Sequence, residues 1–131
     1  MEETPSVILV AEDFEGSAEY YENLVRLLAD RSDFEVIQMS PSEVLSWVRD
    51  IKADGIILGY FFDSGTTGIQ VLEELQPNLA EGVSVVFLTA HAQDPYIHGA
   101  ITSRGIDEVD IVAISLDPEQ DALLLSARLV R

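Results

Sequence analysis

Two rhythms of apolar and polar residues alternate along this chain. Residues 7–11, 55–60 and 83–88 are short, nearly unbroken apolar runs. Runs of that length predict strands covered on both faces. Between them the spacing becomes helical. Tyr21, Leu24, Val25 and Leu28 share one face, while Glu15, Glu19, Glu22 and Arg26 are left for water, which predicts a helix over 16–30. Residues 34–39 alternate and predict an edge strand. Ser40-Pro41-Ser42-Glu43 reads as a capping box with proline in the first turn, opening a helix to about Ile51. A further helix is predicted over 67–76, stopped by Pro77. Asp94-Pro95 starts another, which Gly105 ends. Residues 109–115 predict a fifth strand. Asp117-Pro118 opens the last helix, which should pack Leu124, Ala127 and Leu129 or their neighbours.

Five strands that alternate with five helices predict an α/β fold: a doubly wound parallel sheet with right-handed crossovers. A chain of 131 residues without an internal linker suits one domain over 1–131. In such sheets functional groups gather at the carboxyl ends of the strands. Three ends stand out here: Glu12 and Asp13 after the first strand, Gly59 at the third, and Thr89 at the fourth.

Composition narrows the chemistry. Hydrophobic residues make up 47% of the chain, enough for a packed core. There are no cysteines, which excludes disulfides, thiol catalysis and cysteine-based metal sites. No apolar run approaches the length of a membrane span, and the acidic start is wrong for a secretory signal, so a cytoplasmic protein is expected. Twenty-four acids face seven bases, giving a net charge of −17, and Lys52 is the only lysine. That field repels phosphate backbones and argues against nucleic-acid binding. It favours solubility, or a basic partner surface.

The acid pair Glu12-Asp13, the run from Asp54 to Gly59, the turn glycines Gly65 and Gly68, the Thr89-Ala90-His91 step and Asp117-Pro118-Glu119 occur in a telling order. Together they resemble the receiver domain of bacterial two-component response regulators, over nearly the whole chain. The resemblance implies a flavodoxin-like (βα)5 sheet with strand order 2-1-3-4-5. It places the phosphoacceptor aspartate at Gly59, the magnesium-binding acids at Glu12 and Asp13, and the switch hydroxyl at Thr89. The lysine–proline pair falls on Ile114 and Ser115, and the switch aromatic near Ile111. Nucleophile and lysine are thus both missing, as in an atypical receiver or pseudo-receiver. Glu12, Asp13, Gly59, Thr89 and Ile114 would line a vestigial phosphorylation pocket. Such a domain is not an enzyme. It would act in signal transduction by binding protein, as a homodimer or with another partner. The face implied is that of the fourth helix, fifth strand and fifth helix, with Tyr96, Ile97, Ile101, Ile111 and the outer side of 122–130 in contact.

Other readings stay open at this stage. The acceptor could be shifted, with Asp63 the nearest acid, although that leaves few residues before Gly68. The strand-end cleft could bind a small molecule. A flavodoxin-like cofactor binder is disfavoured, because no lysine follows the Gly65-to-Gly68 turn. No cofactor is expected; Glu12 and Asp13 without a third ligand would make at most a weak magnesium site. Absent a phosphoryl group, Thr89 should bond to nearby backbone. His91 and His98 read as surface or capping residues, without matched acids. Of the aromatic run Tyr60-Phe61-Phe62, alternation should bury some and expose at least one beside the pocket.

Overall fold

A computed structural model of the protein describes residues 6–11, 18–31, 34–50, 54–60, 65–78, 83–115 and 117–129. Its strands are β1 (Ser6–Ala11), β2 (Phe34–Met39), β3 (Gly55–Leu58), β4 (Ser84–Thr89) and β5 (Ile111–Ala113). The helices are α1 (Ala18–Arg31), α2 (Pro41–Asp50), α3 (Gly68–Leu75), α4 (Pro95–Thr102) and α5 (Pro118–Leu129). All strand pairings are parallel and the order is β2-β1-β3-β4-β5. This is the flavodoxin-like order that the resemblance implies.

The central strand explains why both faces are covered. β3 is buried along its whole length, and successive side chains enter opposite layers. Ile56 and Leu58 join Val44 of α2, Leu72 of α3 and Ile101 of α4. Ile57 joins Leu24 and Leu28 of α1 and Leu125 of α5 on the other side. β4 repeats the pattern: Phe87 enters the first layer, Val86 and Leu88 the second. Apolar strands of this kind cannot alternate with water, because neither face meets it.

Local signals set most helix starts. At α2, Ser40 N–H donates to Glu43 Oε1 at 3.1 Å and Ser40 Oγ accepts from Glu43 N–H at 3.4 Å, closing the capping box. Asp94 caps α4 through Tyr96 N–H at 3.0 Å, with proline in the first turn. Asp117 caps α5 through Glu119 N–H at 3.0 Å. α3 carries a second capping box, between Thr67 and Gln70, beyond those read from sequence.

Several expected boundaries are corrected. β3 stops at Leu58, two residues short of the expected end. β5 keeps only three of the seven expected residues. Glu108–Asp110 forms a 3-10 turn instead, because Asp107 caps it by accepting from Val109 N–H at 3.1 Å. The buried face of α5 is Asp121, Ala122, Leu125, Ser126 and Leu129. Leu129 is thus buried as expected, whereas Leu124 and Ala127 lie exposed and their neighbours Leu125 and Ser126 are buried in their place. Among the described residues no helix is long and apolar enough to cross a membrane.

Candidate functional site

The register fixes which residues meet at the carboxyl edge. Ala11 of β1 pairs with Leu58 of β3, and Leu58 with Phe87 of β4. Thr89, two residues further along β4, pairs with Ala113 of β5. Gly59 therefore follows the end of the central strand, between the ends of β1 and β4, and it is buried. The residue at the middle of this edge brings no side chain.

Backbone occupies the space beside Gly59. Gly68 N–H, at the start of α3, donates to the Tyr60 carbonyl at 2.6 Å. A Cβ added at Gly68 would fall on the Gly59 carbonyl oxygen and lie 2.7 Å from Phe87 Cε1. Glycine is therefore required at 68 by close approach. The turn before it uses Gly65 at φ +88°, a conformation that side chains disfavour. Tyr60 is buried in the α2–α3–α4 layer, whereas Phe61 and Phe62 lie outside the described residues.

Thr89 and Ile114 come together on the β4–β5 side of this edge. Thr89 is only 3% exposed, and its Oγ accepts from His91 N–H at 3.1 Å. Its carbonyl accepts from Ile114 N–H at 3.1 Å. Ile114 is partly buried and packs with the α1–α5 layer, an apolar side chain where the resemblance expects a lysine. Glu12, Asp13 and Asp63 lie outside the described residues.

The implied partner face needs correction. Ile97 and Ile101 are buried, at 6% and 0% exposure, because α4 turns them into the layer with Phe87 and Leu72. They hold α4 in place and present almost no surface in the free chain. Ile111 is partly buried against the same layer. Tyr96, by contrast, is 82% exposed. Val109, Leu123 and Leu124 are also exposed large apolar residues, on the elements of the expected face, although Val109 lies in the 3-10 turn before β5 rather than in the strand. Two contacts brace this side. Arg128 Nε donates to the Val109 carbonyl at 2.6 Å, tying α5 to the 3-10 turn. His98 Nε2 lies 3.2 Å from Glu108, so this histidine does have a matched acid, supplied by the 3-10 turn that follows α4.

A polar group in the α1–α5 layer was not visible from sequence. Asp121 is fully buried and accepts hydrogen bonds from Tyr20 Oη, Ser115 N–H and Ser115 Oγ. Burial pushes the Tyr20 phenol well above its ordinary range, and the hydrogen bond to Asp121 and the charges of Asp121 and Asp117 push the same way. The only hint in the chain was an acid in line with Leu125 and Leu129 on the last helix.

An open cleft of about 430 Å³ lies at the other end of β4, bordered by Val83, Ser84, Arg104, Ile106 and Asp110. It is remote from Thr89, at the amino end of the same strand.

No protein-family model matches the chain, and no curated protein matches it. Solved structures do. A DNA-binding response regulator of the LuxR family from Staphylococcus aureus superposes with a TM-score of 0.74 at 17% identity, covering 95% of this chain and 98% of the other. A putative response regulator from Chloroflexus aurantiacus gives 0.74 at 21% identity, covering 97% and 99%. The receiver domain of a sensor histidine kinase from Pseudomonas aeruginosa, solved with magnesium in its active-site cleft, gives 0.72 at 17% identity, covering 96% and 98%. With the parallel order β2-β1-β3-β4-β5, these likenesses show that the chain has the fold of a response-regulator receiver domain.

Proposed function

We infer that the chain is a receiver-type signalling module that has lost aspartyl phosphorylation and works by binding a protein partner. The observation that carries this reading is Gly59 at the end of the central strand. Phosphoryl transfer to a receiver needs a carboxylate nucleophile there, a divalent cation on neighbouring acids, and a cation and hydroxyl to hold the phosphoryl oxygens. Gly59 removes the nucleophile. The apolar side chain of Ile114 stands where the resemblance expects the lysine. The Thr89 hydroxyl is occupied by a local backbone bond. The Pseudomonas receiver holds magnesium in its cleft. Here Glu12 and Asp13 lack the third carboxylate that an aspartate at 59 would supply, so the residues present do not complete such a site.

Recognition then falls to surface side chains. Tyr96, Leu123 and Leu124 expose apolar area on α4 and α5, and Val109 exposes more on the turn leading into β5. Exposed aromatic and aliphatic anchors of this kind are what a protein interface buries at its centre.

Incubation with acetyl phosphate and magnesium, followed by intact-mass spectrometry, tests the reading. The expected result is an unchanged mass. Beryllofluoride should likewise leave the Thr89 amide resonance in place. A stable phosphoryl adduct on any aspartate would refute the proposal.

A further inference from the structure

The α1–α5 layer contains a carboxylate that the packing alone does not need. Asp121 sits at 0% exposure on α5, on the face that carries Ala122 and Leu125 into this layer. Burying a carboxylate is costly unless donors surround it. Here the donors converge from three parts of the fold. Tyr20 reaches it from the first turn of α1. Ser115, just past β5, supplies both its backbone N–H at 3.1 Å and its Oγ at 2.7 Å. Asp121 itself lies in the first turn of α5. Among the described residues its donors are all neutral.

The Ser115 hydroxyl also accepts a bond that closes the turn on itself. Asp117 N–H donates to Ser115 Oγ at 3.2 Å, and that hydroxyl also lies 3.3 Å from the Asp117 carbonyl. The segment from β5 to α5 is thus fastened to the interior through one buried carboxylate. Apolar side chains of similar size would stabilise this layer as well or better. What a satisfied polar network adds is a single geometry, because each donor fits in one arrangement only.

We propose that Tyr20, Ser115 and Asp121 form an internal latch that locks the β5–α5 turn and the first turn of α5 onto α1. The latch is a conformational device of the carboxyl edge. It does not depend on whether Gly59 has ended phosphorylation. It fixes the rotation of α5, and with it the placement of Leu123 and Leu124.

Native-state amide exchange followed by NMR tests it on the whole chain. The readout is the exchange rate of the Ser115 amide relative to that of Ile57, whose strand lies in the core. Asp121→Asn and Tyr20→Phe should each raise that ratio, by about tenfold or more for the first and less for the second. The double variant Tyr20→Phe, Asp121→Leu replaces the polar group with apolar bulk. It should keep the Ile57 rate near that of the parent while releasing Ser115. Tyr20→Phe keeps the ring and drops only the hydroxyl, so it carries the test if asparagine at 121 prevents folding. An unchanged ratio in the variants that fold would overturn the latch, because Ser115 would then open only with the whole molecule. None of these measurements involves phosphate or a partner, so failure here leaves the reading of Gly59 standing, and the reverse.

Discussion

At the scale of single residues, the Tyr20–Asp121 bond has a consequence for pH. The Tyr20 phenol is raised above its ordinary value of 10.0, with burial as the largest cause. Below that value both folded and unfolded chains keep the proton, and the bond contributes fully. As pH rises past 10.0 the unfolded chain loses its proton while the folded chain must retain it, so stability falls. Urea midpoints measured between about pH 8 and about pH 11 should drop more steeply for the parent than for Tyr20→Phe. Equal slopes would mean that Tyr20 titrates freely. Gly68 supports a second expectation. Its missing Cβ makes room for the Gly59 carbonyl and the Phe87 ring. Gly68→Ala should cost about 1–3 kcal/mol in urea unfolding, because backbone must shift to admit the methyl group. A neutral result would show that the start of α3 can move away from the strand end.

At the scale of elements, α4 separates residues that hold the fold from residues that face outward. Ile101 is fully buried and Tyr96 is 82% exposed, five positions apart on one helix. Ile101→Ala should cost about 2–5 kcal/mol of stability. Tyr96→Ala should change stability by about 0.5 kcal/mol or less, while weakening capture of a protein partner if this face docks one. Denaturant melts of the two variants check the first contrast. The same helix shows what could be read in advance. Its start was legible because Asp94 and Pro95 are local signals that need no tertiary partner. Its inward face was not, since apolar positions on a short helix do not say which neighbours receive them. β5 was over-read for a related reason: Val109 and Asp110 follow a residue whose side chain closes a turn, and Asp107 competes with the strand through that local bond. Asp121 was missed because its donors lie 101 and six residues away, and only the packing of α1 against α5 brings the farther one in. Among the edge residues, Gly59 and Thr89 were legible as strand ends, and the register sets them on adjacent strands; Ile114 came only from the resemblance, and one backbone bond joins it to Thr89.

At the scale of the whole molecule, charge dominates. The chain carries −17, and three of its arginines have partners within the chain: Arg104 with Glu73 at 3.1 Å, Arg128 with the Val109 carbonyl, Arg26 with the Asn23 side chain. One such surface pair contributes little against so large an excess of acids. The compact state therefore gathers like charges that the unfolded chain spreads apart. Screening relieves that cost, since the Debye length shrinks from about 30 Å at 0.01 M salt to about 8 Å at 0.15 M. The melting temperature should accordingly rise with sodium chloride, and a fall would mean that attractive pairs outweigh the repulsion. The same field separates two kinds of partner for the exposed face of Tyr96, Leu123 and Leu124. A second copy brings another −17, so self-association should strengthen with salt in sedimentation experiments. A basic partner is drawn in by the unscreened field, so its binding should weaken along the same series.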